Sequence, residues 1–125
     1  MTLFVCYSQK SNEVYFKASS TEMYVKNVKG EWDLYQKNGS TNITIVLEEN
    51  FISIQAQKPS IYRIYKSTSQ PIETEKLEGS RYNAKDLKTE EYCTVDVLRI
   101  KSTSYYVISI VNDFVNLRYF VDSDD

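Results

Sequence analysis

Residues 91–121 constrain this chain most, because they hold three runs of strand-type patterning joined by links too short for a crossover. Residues 91–101 (EYCTVDVLRIK), 105–112 (YYVISIVN) and 114–121 (FVNLRYFV) are dominated by β-branched and aromatic side chains, which fit a pleated, half-buried surface. The links, Ser102-Thr103-Ser104 and Asn112-Asp113, are built of residues that accept tight turns. Links of this length join antiparallel neighbours, so the stretch reads as a meander.

Successive side chains on a strand point to opposite faces, and this alternation assigns the interior. In the last run Val115, Leu117, Tyr119 and Val121 share the core face. The middle run is apolar on both faces, with Tyr106, Ile108 and Ile110 opposite Tyr105, Val107 and Val111, as in a central strand covered on both sides. In the first run Cys93, Val95 and Val97 form one set while Leu98 and Ile100 fall on the other, and a β-bulge near Val97 is expected to restore the phase.

Shorter strand candidates occupy residues 3–8, 13–18, 22–28, 32–36, 42–48, 51–57, 61–66 and 81–85, giving eleven in all. Lys37-Asn38-Gly39-Ser40 is the clearest turn signal, and 42–48 with 51–57 form a hairpin. One helical turn is expected over 72–78, after Pro71. The break at Lys58-Pro59 and the polar connection at 67–80 read as passages between two sheets. The expected fold is therefore a single all-β domain spanning residues 1–125, an antiparallel, meander-rich β-sandwich. A closed or partly open up-and-down β-barrel is the alternative.

Composition narrows the chemistry. With no His in the chain, Ser-His and Cys-His nucleophile pairs cannot be built. Cys6 and Cys93 stand far apart and give no zinc ligand set; they are expected as two buried small side chains rather than as a disulfide. Glu48, Glu49, Asp86 and Asp96 are the nearest candidates for carboxylate chemistry, and solvation is their ordinary explanation. Gly30, Gly39 and Gly79 are scattered, so no phosphate loop exists, and the acidic residues at 122–125 lack calcium-loop spacing. The sequence thus predicts no enzyme, no cofactor and no metal. A net charge of −2 with both signs interspersed disfavours nucleic acid. No apolar run approaches the roughly twenty residues of a membrane span. Residues 3–7 (LFVCY) lack a basic leader, so the default expectation is cytoplasmic; a leader removed earlier would leave a secreted or periplasmic chain looking the same. The wealth of Lys, Asn, Ile and Tyr has a bacterial or phage character.

What remains is aromatic surface, since the chain has eleven Tyr, five Phe and one Trp. Tyr35, Tyr92 and one of Tyr62 or Tyr65 are expected to point outward, which makes Tyr35, Tyr62, Tyr65 and Tyr92 the candidate contact residues. The function expected is that of a non-catalytic module for protein interaction, self-association or structure. A barrel holding a small apolar molecule, or a sugar-binding module, is the alternative.

Overall fold

The computed structural model describes residues 13–122, with the side chain of Asp122 left aside. The strand expected at residues 3–8, and with it Cys6 and any bond to Cys93, lies outside the described residues. Nine strands follow: β1 (Val14–Lys26), β2 (Trp32–Asn38), β3 (Ile43–Leu47), β4 (Phe51–Gln55), β5 (Ser60–Glu73), β6 (Leu77–Asp86), β7 (Tyr92–Ile100), β8 (Tyr105–Val111) and β9 (Val115–Asp122). Every pairing is antiparallel.

The sheet closes on itself, and this corrects the expected sandwich. β3 through β9 pair in chain order, while β1 pairs with β3 along one edge and with β9 along the other, so eight strands form a ring. Closure depends on the length of β1, which meets β3 through Val14 to Ala18 and β9 through Ala18 to Val25. Ser19-Ser20-Thr21, taken from the sequence as a break, is the middle of that strand, with a register shift against β9 between Ala18 and Ser20. Such a bulge adds the twist and bend that a barrel needs.

The two expected passages between sheets are both hairpin connections. Lys58 and Pro59 link β4 to its neighbour β5. The 67–80 segment is the body of the β5–β6 hairpin, with an irregularity between Tyr65 and Gln70. The helical turn expected over 72–78 is the end of β5, a turn and the start of β6; Thr74 Oγ1 accepts from Leu77 N at 3.0 Å and closes it. Pro71 is tolerated there because it pairs only with Ser80 of β6, and its missing N–H falls on an edge that β4 does not reach.

Asn38-Gly39 does not reverse the chain either. β2 and β3 lie in succession along the same edge of β1, and Thr41 bridges the gap by donating from N to Ser19 O at 3.1 Å. The tight reversal falls earlier, at Gly30 with φ 81°, where Asn27 Oδ1 accepts from Lys29 N and Glu31 N at 2.8 and 3.0 Å. Asn112 caps the β8–β9 turn in the same way, accepting from Phe114 N and Val115 N at 2.9 and 2.8 Å.

The interior is apolar. Ile45, Ile52, Val95 and Ile108 are fully enclosed, and Ala18, Ile54, Ile64, Ile110 and Val121 complete the cluster with the rings of Tyr62 and Tyr119. Phe16 and Tyr106 meet with ring centroids 5.3 Å apart. The inward set Leu117, Tyr119 and Val121 follows the alternation read from the sequence, whereas β8, expected as a central strand, is one member of a closed ring, flanked by β7 and β9 and buried on both faces at Ile108, Ser109 and Ile110.

No bulge occurs in β7, which pairs in unbroken register from Tyr92 to Ile100 with β6 and from Thr94 to Arg99 with β8. The apolar pattern changes face there because the outside of the wall is itself covered, leaving Leu98 8% exposed.

Candidate functional site

The outer wall carries an unusual amount of buried polar surface. Asp96, Ser109 and Asn116 point away from the barrel core and yet are 7, 8 and 7% exposed. Register places Arg81, Asp96, Ser109, Arg118, Glu22 and Lys37 in one row across β6, β7, β8, β9, β1 and β2. Leu98, Val107 and Phe120 form the next row on one side, and Val111, Asn116 and Tyr24 the next on the other. The β6–β9 members of these rows line a groove of about 480 Å³, walled by Trp32 of β2 and Leu77 of β6.

Inside the groove the carboxylate of Asp96 is held by a two-point contact, with Arg81 Nε and Nη2 donating at 2.8 and 2.9 Å. That geometry satisfies a carboxylate that would otherwise be costly to bury, and its hydrogen bonds and charge raise the Arg81 guanidinium further above its ordinary value. Glu22 is also engaged: Tyr24 Oη donates to it at 2.6 Å, and Lys37 Nζ lies 3.9 Å away. Accepting that bond, the Glu22 carboxylate raises the Tyr24 phenol above its ordinary value, with burial adding to the effect. Arg118 stacks over the Tyr24 ring at 4.5 Å and has no carboxylate within ion-pair distance among the described residues. Asn116 Oδ1 is buried and has no hydrogen-bond partner among them.

A second, wider groove of about 670 Å³ adjoins the first at Val111 and is lined by Tyr65, Tyr92, Asn83, Thr94 and Asn112. Of the four tyrosines singled out from the sequence, Tyr65 and Tyr92 come together here, with Tyr92 69% exposed. Tyr35 is also exposed but on β2, lining neither groove. Tyr62 is the correction. It sits inside the barrel at 6% exposure, where burial raises its phenol well above the ordinary value, so it is no contact residue. Strand alternation places Ile64 and Tyr62 together inward and Tyr65 outward, which the apolar-rich run IYRIYK left open.

The inner side of the barrel leaves little room. At one mouth, between Tyr62, Cys93, Ile110 and Leu117, the free space is about 40 Å³, against the roughly 300 Å³ or more of a ligand pocket. Cys93 is half-buried beside it, and burial pushes its thiol up to about 11. Asp86 serves the β6–β7 turn, its Oδ1 accepting from Lys88 N at 2.8 Å. Glu48 and Glu49 lie within the β3–β4 turn. Among the described residues no group of three or more acidic, Cys or His side chains is placed to hold a metal, and no helix is long and apolar enough to cross a membrane.

Of the groove lining only Asp96 is among the candidates read from the sequence; Trp32, Arg81, Asn116 and Arg118 are missed. For Asn116 and Arg118 the only signal is polarity alternating with apolar residues in 114–121, which reads equally well as a solvated outer face. Searches against protein-family models, curated proteins and solved structures find no match to this chain.

Proposed function

We propose that this chain is a non-catalytic binding module that holds a protein partner on the outside of its barrel, over the β6–β9 wall. The observation that supports it most directly is the burial of Asp96, Leu98, Ser109 and Asn116 on an outward face, within a groove that Trp32 and Leu77 wall in. Outward positions of a small barrel ordinarily meet water, whereas partner sites combine an apolar floor with a few placed polar groups. Aromatic and Arg side chains, the groups enriched at such contacts, stand at Trp32, Phe120, Arg81 and Arg118.

A photo-crosslinking residue at position 34, on the rim beside Trp32, should capture a partner from the native host. The same residue at position 17, exposed on the stretch of β1 that pairs with β3, should not. Equal capture from both positions, or none from either together with a monomer in size exclusion, refutes the reading. The second groove favours a sugar as the competing ligand, because Tyr65 and Tyr92 flank Asn83, Thr94 and Asn112 there. Oligosaccharide binding abolished by Tyr92→Ala, with the Leu34 site silent, would establish that reading in place of the first.

A further inference from the structure

The half-open groove beside Trp32 offers three kinds of contact side by side. Asn116 is 7% exposed and its buried Oδ1 lacks a donor among the described residues; buried acceptors in folded proteins nearly always have one, from protein, water or ligand. Arg118 supplies a cation whose neighbours are already committed, Asp96 to Arg81 at 2.8 Å and Glu22 to the Tyr24 hydroxyl at 2.6 Å. Leu98, Val107 and Phe120 supply an apolar floor. The charged side chains lining the space are Arg81, Arg118 and Asp96, two cations against one carboxylate, in a chain whose net charge is −2. The local excess therefore selects an anion against the sign of the whole molecule.

We infer that the groove binds the carboxy-terminal residue of a partner protein that ends in an apolar side chain. Its carboxylate sits on Arg118, its last backbone N–H donates to the Asn116 amide oxygen once that buried group turns into the groove, and its side chain lies on Leu98, Val107 and Phe120. A chain end is the one part of a polypeptide that presents an anion, a donor and an apolar group on a single residue. An acidic side chain within a segment carries its charge on a stem with no apolar group attached. The volume of about 480 Å³ accommodates one or two residues and leaves the rest of the partner free to cross the Tyr65–Tyr92 groove. This inference rests on the outer wall being a partner surface and specifies its chemistry.

Trp32 is the only tryptophan in the chain and stands in the groove wall, so its fluorescence reports occupancy directly. The full chain is titrated with the acetylated peptide Gly-Ser-Gly-Ser-Leu as free acid, as carboxy-terminal amide, and as an amide with Glu at the central position. The free acid should give a saturable change, and the plain amide should bind at least about tenfold more weakly, because a charge-assisted contact is lost. Arg118→Gln and Arg118→Lys should both weaken the acid, Gln more, with melting temperatures near that of the unaltered chain. Asn116→Ala should weaken acid and amide by the same factor. Acid and amide binding equally, or neither binding, overturns the inference without any variant being needed. The Glu-bearing amide binding as well as the acid also overturns it, in favour of an internal acidic side chain. If no peptide binds while crosslinking from position 34 still captures a partner, only this inference fails; if both fail, the outer-wall reading fails with it.

Discussion

The inner and outer faces of the β7–β8–β9 wall reach similar burial by opposite means. Inward, Val95, Ile108, Ile110, Tyr119 and Val121 exclude water by packing alone. Outward, Asp96 and Ser109 are nearly as enclosed, but the burial of Asp96 depends on its two-point pairing with Arg81, and at Asn116 the pairing is incomplete. The inner face is therefore what makes the chain fold, since apolar burial has no orientation to satisfy. The outer face keeps a buried acceptor without a partner and a guanidinium with no carboxylate within ion-pair distance among the described residues, and the unmet acceptor costs stability rather than adding to it.

The sharpest way to break this contrast is Ile108→Asp, which puts an unpaired carboxylate at a position of 0% exposure. The variant should show no cooperative melt, and a retained one would mean that β8 is not the centre of the core.

Gly79 probes the outer face next. A Cβ built there would lie 2.0 Å from the Val97 carbonyl oxygen and 2.9 Å from the Leu98 Cα, both in the backbone of β7. Gly79→Ala should therefore force the β6–β7 ladder apart and cost about 3 kcal/mol in denaturant unfolding; a cost below about 0.5 kcal/mol, typical of neutral surface changes, would show the contact to be slack.

Alkali separates the faces without mutation. The Cys93 thiol, held up to about 11 by burial, binds a proton in the folded chain that the unfolded chain has already lost. Its contribution is complete below the ordinary thiol range, fades from about pH 9 and is gone above about 11. Burial raises Tyr62 and Tyr119 in the same direction, so they extend the loss to still higher pH. Stability should fall by about 2 kcal/mol between pH 8 and 11, and Cys93→Ala should flatten the first part of that fall.

Within the outer row, removing either member of the Arg81–Asp96 pair should have unequal effects. Arg81→Ala strands a carboxylate whose side chain is 9% exposed, whereas Asp96→Ala frees a guanidinium that is 48% exposed and reaches water. The first should cost about 1 kcal/mol more than the second, and the reverse order would show that the guanidinium, not the carboxylate, is the confined partner. The smallest effect should come from Asn116→Leu, which removes the unpaired Oδ1 at nearly constant volume. It should raise stability by about 0.5 to 1 kcal/mol while weakening the free-acid peptide.

Much of the fold could be read along the chain because alternation is a local property. The meander, the hairpin of β3 and β4, the inward set of β9 and the double-sided burial of β8 all follow from which side of a strand each residue takes. Turn chemistry was less reliable. Asn38-Gly39 has the composition of a reversal, but β2 and β3 continue along the same edge of β1, while the Ser102 and Glu90 turns adopt φ of 66° and 63° without glycine. The 67–80 segment has the polar composition of a loop because the far half of β5 pairs only with β6 and its other edge meets water. For the site, Tyr65 and Tyr92 were visible as outward aromatics, whereas nothing near Arg118 in the chain indicates that its row neighbours are Ser109 and Glu22.

The sequence alone determined an all-β, antiparallel architecture with an apolar inner face, because period-two patterning depends only on neighbours along the strand. Only the tertiary structure decided that the sheet closes and that its outer wall forms a groove. Closure rests on how far β1 is staggered between β3 and β9. The groove rests on side chains brought together from β2, β6, β7, β8 and β9, and no local pattern encodes proximity between residues as far apart in the chain as Trp32 and Phe120.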